Sequence, residues 1–202
     1  MKPRFPVFST IVVCSAILTM IALGVWQLQR KQWKEALIAR YAAASQQTGD
    51  VPWPERPAAV EDALYRTSHF HCDKVLSMTT IAARNALDEP GLAVVATCRL
   101  GLKSEVAVSL GWSQQPKTIA WEGGEVHGIV ASGGKDADGN PRPRLVAYPP
   151  AAGLQPLAKP DPNSLPNNHL AYAVQWFAFA VVASVIYGLL LYRRLAPKPA
   201  RR

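Results

Sequence analysis

The sequence predicts an integral membrane protein of α+β class, in which two transmembrane α-helices flank a small, mainly antiparallel β domain. Two observations carry the helices: residues 5–29 and residues 162–192 contain no charged side chain. About 20 apolar residues, rising about 1.5 Å each, cross a hydrocarbon core of roughly 30 Å. A third observation carries the domain between them, where the apolar residues fall into short, strand-like runs. The 202 residues are 49% hydrophobic and 18% charged, with a mean hydropathy of +0.02. That balance, concentrated in two stretches, excludes a plain cytosolic domain, and the medium-sized middle segment excludes a multidomain enzyme.

The elements follow in order. Residues 1–6 form a short tail and residues 7–29 the first span. The helix is expected to continue past the bilayer, because Trp33, Leu37, Arg40, Tyr41 and Ala44 keep a three-to-four spacing. Val51-Pro-Trp-Pro-Glu-Arg-Pro then breaks it. Strands are expected at 65–80, 92–100 and 105–112, with a last short one at 145–148. A hairpin is expected where 118–121 and 126–130 flank Glu122-Gly123-Gly124-Glu125. Residues 149–166 hold six prolines and read as an unfolded tether, which closes the intervening domain of 30–168. Residues 169–192 form the second span and 193–202 a basic tail.

Charge assigns a topology. Lys2, Arg4, Arg193, Arg194, Lys198, Arg201 and Arg202 place seven basic and no acidic residues outside the spans. Fifteen basic and all fourteen acidic residues lie between them, so the net +8 is +7 on the tails and +1 on the domain. A domain so nearly neutral offers no basic face, and no nucleic-acid partner is expected. Basic tails stay in the cytoplasm by the positive-inside rule. Arg30, Lys31 and Lys34 crowd the far end of the first span, but a long loop translocates largely regardless of its charge. The expected location is a bacterial inner membrane, multi-pass, with a periplasmic domain and both termini cytoplasmic. The first apolar run is longer than a signal peptide's, and the small-residue site Ala42-Ala43-Ala44 lies too far downstream. The N-terminal span is therefore expected to be an uncleaved anchor, and no mitochondrial presequence is expected.

Several residue groups carry candidate chemistry. His69 and His71 share one face of a strand, a pair short of a metal site for want of a third ligand; exposed strand histidines are the expectation. Thr97-Cys98 after an apolar strand resembles the nucleophile of the sortase transpeptidases. Such a thiol needs a nearby His or Arg; Arg99 points to the opposite face and His71 is only 27 residues upstream, so no enzyme is expected. Cys72 and Cys98 could pair in an oxidising compartment, and spacing alone leaves that open.

The outer ends of the spans say more. Trp26, Gln27 and Arg30 end the first; His169, Tyr172, Gln175 and Trp176 open the second. Trp26 and Tyr172 suit the aromatic belt at the headgroups, and Gln27 and Gln175 suit hydrogen bonding between helices. Trp176 lies seven residues beyond His169, roughly 10 Å deeper, too deep for a belt. Polar and aromatic groups at that depth face a partner or a ligand rather than lipid.

Leu23-Gly-x-Trp-Gln-x-x-Arg-x-x-Trp-Lys and Asn167-Asn-His-Leu-x-Tyr-Ala-x-Gln-Trp-Phe resemble the two end signatures of the surfeit-locus protein one family, the cytochrome c oxidase assembly factors. Gly91 before a strand and Gly111-Trp112 after one extend the likeness into the domain. Leu110 and Cys98 depart from it, standing where arginine and proline are common. The resemblance implies a non-enzymatic role in haem a insertion or delivery to the core subunit of a haem-copper oxidase. It makes that subunit, haem a synthase and membrane lipids the expected partners. It also implies that His169 is an axial ligand to haem iron; the residues themselves make this feasible, since Tyr172, Gln175, Trp176, Trp26 and Gln27 could cover the macrocycle and Arg30 could pair with a propionate. The competing expectation is a two-span scaffold that stabilises oxidase subunits without haem.

Overall fold

The computed structural model describes residues 5–101 and 104–196; the tail charges Lys2, Arg4, Lys198, Arg201 and Arg202 lie outside them. The chain divides into two compact units, 1–37 with 166–202, and 38–165.

The first unit is a helical pair. Helix α1 (Val7–Ser45) runs uninterrupted because it contains no proline and a single glycine, Gly24. Its partner α3 (His169–Leu195) ends with Arg193 and Arg194 in its last turn, where cations meet the negative end of the helix dipole. Both are long and apolar enough to be candidate membrane spans, and almost nothing in their apolar stretches is buried by protein. Phe8, Leu18, Val174, Val181 and Leu190 all lie open, an outer surface suited to lipid. The less exposed positions run 10, 13, 17, 20, 24, 27 on α1 and 169, 173, 176, 180, 183, 187 on α3. That alternation of three and four is the seam of two helices packed at a shallow angle.

The second unit starts from the end of α1, where Tyr41 is buried against Tyr65 (ring centroids 5.0 Å apart) and Arg40 pairs with Asp62. A short helix that sequence reasoning missed, α2 (Pro57–Ala63), begins on its proline and buries Val60 and Ala63 against the sheet. Pro57 supplies the fixed φ that starts it.

The sheet has six strands: β1 (Thr67–Cys72), β2 (Lys74–Arg84), β3 (Pro90–Leu100), β4 (Ser104–Ser113), β5 (Gly124–Lys135) and β6 (Pro141–Ala147). Their order is β1-β5-β6-β4-β3-β2. Among the described residues only β4 and β6 pair in parallel, so the expected mainly antiparallel character holds. Strands β1 and β2 stand at opposite ends of that order yet only Asp73 separates them, so the sheet curls back on itself. The Cys72–Cys98 disulfide, with Cα atoms 5.4 Å apart, ties the curl shut. Val94, Ala96, Val108, Leu110, Val130 and Leu145 form the core with Val60 of α2. Leu110 faces inward at 1% exposure, a place where an arginine would need a buried partner for its charge.

Three expectations are corrected here. The run 65–80 is two strands, not one, because the chain turns at Asp73 from one end of the sheet to the other. Residues 118–121 form no strand and Glu122-Gly123-Gly124-Glu125 no hairpin. β6 lies between β4 and β5, so 114–123 must cross over rather than double back. The hairpin falls instead at 136–140, where the Asp136 carboxylate accepts the backbone N–H groups of Asp138 (3.0 Å) and Asn140 (2.8 Å). Nor are residues 149–166 a loose tether: Trp112 and Gln155 exchange backbone hydrogen bonds of 2.8 and 2.9 Å, and Leu157 is buried beside Trp112. The Trp112 ring lies flat enough over β3 that a Cβ on Gly91 would sit 2.5 Å from it, so only glycine fits there.

Candidate functional site

The site is built at the end of the helical pair where α3 begins. Asn168 starts the helix without a side-chain cap, and the first helical residue, His169, is turned toward α1. Its Nδ1–H donates to Oε1 of Gln27 at 2.8 Å. A carbonyl oxygen can only accept, so Nδ1 is the nitrogen that carries a proton here, and the neutral form of the ring would present the lone pair of Nε2. This is the pattern by which an outer partner sets the tautomer and aim of a ligating imidazole. Both residues are half-buried.

A second polar contact pins the opposite end of the pair, where Thr10 Oγ1 and the Tyr187 hydroxyl are 2.6 Å apart. The two contacts are 17 residues apart on α1, roughly 25 Å, and they fix the helices as antiparallel. Between them the alanines of α3 at 173, 180 and 183 face Val13, Ile17, Met20 and Gly24 of α1. Ala173 and Ala180 are buried, and a Cβ on Gly24 would lie 2.6 Å from the Phe177 ring. Small residues at such seams let helix backbones approach within packing distance where no hydrophobic drive exists. Gly24 stands one turn from Gln27, so the approach it permits also brings Gln27 to His169.

The other site residues surround this pair to different degrees. Trp176 is half-buried, with the Phe179 ring edge-on at 6.2 Å. Trp26 and Tyr172 are each about half exposed, at 53% and 52%, and Gln175 is exposed as well. Gln175 therefore does not share with Gln27 the role of bonding the helices; that role falls to His169. The Arg30 guanidinium lies 3.9 Å above the Trp33 ring, which leaves its in-plane N–H groups able to take a carboxylate. Sequence reasoning missed one group: Asn167 Oδ1 is shielded and has no hydrogen-bond partner among the described residues. The Asn-Asn pair preceding the histidine was the available signal.

Elsewhere, the sulfur of Cys98 is committed to its bond with Cys72, and Cys98 is fully buried, so it is not a thiolate nucleophile. His69 and His71 are exposed strand residues, as expected.

The sequence pattern of the SURF1 family matches residues 14–181, which takes in most of α1, the whole sheet and the first half of α3. No curated protein sequence matches the chain.

Proposed function

The chain belongs to the SURF1 family, known for cytochrome oxidase assembly factors, and from that premise we propose that it assists the insertion or delivery of haem a to the core subunit of a haem-copper oxidase. The observation that supports this most is the His169–Gln27 hydrogen bond. It orients the His169 ring so that its neutral form would present Nε2, the nitrogen that could ligate haem iron. Trp26, Tyr172 and Trp176 supply apolar cover, Gln175 an exposed amide, and Arg30 a cation for a propionate. The unpartnered Asn167 Oδ1 is an acceptor left for an incoming donor. When bound, haem a supplies the redox-active iron that the oxidase needs; this chain's part is to hold and present it.

The reading places the protein in a bacterial inner membrane. Antiparallel helices return both tails to one side, the basic residues Arg193 and Arg194 favour the cytoplasm, and the Cys72–Cys98 disulfide suits an oxidising periplasm. Single cysteines at Lys135 and Arg194, introduced with Cys14 replaced, test this with an impermeant thiol reagent in intact cells: label at 135 alone is expected, and label at 194 alone reverses the topology. Function is tested by deleting the gene. Activity of a haem-a-containing oxidase is expected to fall while its subunits are still made. Normal oxidase activity and haem content in that strain, with no second copy of the gene, would contradict the proposal.

A further inference from the structure

The outward face of β1 and β5 carries three of the four histidines of the chain. Antiparallel register sets His69 directly opposite His127 and His71 opposite Glu125. The rings of His69 and His127 stack with centroids 5.1 Å apart and planes at 25°. Asp50, from the loop that precedes α2, reaches over the same rung. Its Oδ2 lies 2.9 Å from His69 Nδ1 and 3.9 Å from His127 Nδ1. Three donors from three separate segments thus converge, with ligand atoms all within 4.8 Å of one another.

We propose that Asp50, His69 and His127 form a surface site for a divalent late-transition metal ion, Zn(II) or Cu(II). The donor set is the argument. Two imidazoles and a carboxylate suit these ions and not the oxygen-seeking Mg(II) or Ca(II). Bonds of about 2.1 Å in a tetrahedron place ligand atoms roughly 3.4 Å apart, and the two separations from Asp50 bracket that value. All three side chains are exposed, so a small rotation of each closes the set and leaves a position open to water. The strand backbone fixes where the imidazoles stand. His71 stands outside the trio, its Nδ1 3.0 Å from Glu125 Oε1. The proposal is independent of the haem reading, which concerns His169 in the other unit.

Titration calorimetry of the full-length chain in detergent, with zinc chloride and with copper sulfate as probes, tests the site. One equivalent is expected to bind saturably. His127→Ala and Asp50→Asn are each expected to weaken binding at least about tenfold, the scale on which even outer-shell losses register. His71→Ala and His169→Ala are expected to leave it unchanged. With Cu(II), the paramagnetic resonance spectrum is expected to show two coordinated nitrogens in the wild type and one in His127→Ala. Absence of saturable uptake by the wild type would overturn the proposal. So would unaltered affinity in His127→Ala and Asp50→Asn, or affinity that follows His71 or His169 instead.

Discussion

The helical pair and the sheet domain are held together by opposite means. The sheet domain buries a contiguous apolar core, closes its curl with a disulfide and pairs strands far apart in sequence. The helical pair buries almost nothing inside itself, turning its large apolar side chains outward. Among the described residues it is joined by a seam in which Gly24 and the alanines of α3 let the helices approach, and by one polar contact at each end. In water the first arrangement is stable by hydrophobic burial; in lipid that drive is absent, and close packing with a few hydrogen bonds replaces it. In the helical pair, His169 joins the two helices, and under the proposed function the same residue would meet the ligand.

The largest expected effect that separates the two units is loss of the disulfide. The cysteines lie 26 residues apart, and closing a loop of that size restricts the unfolded chain by about 3 kcal/mol. Cys72→Ser with Cys98→Ser is expected to lower the melting temperature of the sheet domain while cross-linking between Thr10→Cys and Tyr187→Cys in the helical pair persists. Loss of that cross-link would show that the units do not stand separately.

The converse change is Gly24→Leu. It drives a side chain into the Phe177 ring, and overpacking of this kind costs about 1–3 kcal/mol. The Thr10→Cys/Tyr187→Cys cross-link is expected to weaken, with the melting transition of the sheet domain unmoved. An undiminished cross-link would mean that the glycine seam does not set the approach of the helices.

A smaller effect, confined to the sheet domain, comes from Asp136. The Asn140 backbone N–H, above all, holds its carboxyl below the ordinary value, so the unfolded state binds the proton more readily. The stabilisation is fully present above about pH 4 and is lost as the pH falls through the lower folded-state value. Asp136→Ala is therefore expected to flatten the acid limb of the stability profile below about pH 4 and leave its shape near neutrality unchanged. An acid limb identical in slope to the wild type would contradict that assignment.

The same contrast explains what the sequence made legible. Charge-free runs at 5–29 and 162–192 mark helices without reference to any partner, and α1 and α3 begin within them at Val7 and His169. Counting residues along straight helices places Trp26, Gln27 and His169 near one end of the spans, with Trp176 roughly 10 Å deeper than His169. Whether Gln27 meets His169 or Gln175 depends on how the helices turn toward each other, and Gly24 with Phe177 settles that only in three dimensions. Strand partners are non-local, so Glu122-Gly123-Gly124-Glu125 reads as a hairpin in the sequence although β6 lies between β4 and β5. The pairing of Cys72 with Cys98 was open for the same reason. So was the meeting of His69 with His127, which stand 58 positions apart in the chain.

The central claim is that His169, set by Gln27, holds haem a. His169→Ala removes the imidazole and one interhelical hydrogen bond, a loss on the order of 0.6 kcal/mol in a membrane, so the variant is expected to accumulate normally. The decisive measurement is the visible spectrum of wild type and His169→Ala, purified side by side from cells that make haem a. Haem in the wild type and little in the variant, with reduced oxidase activity in cells carrying the variant, is the predicted result. A full haem complement and unchanged spectrum in His169→Ala would contradict it, and a wild type that carries no haem would favour a two-span scaffold.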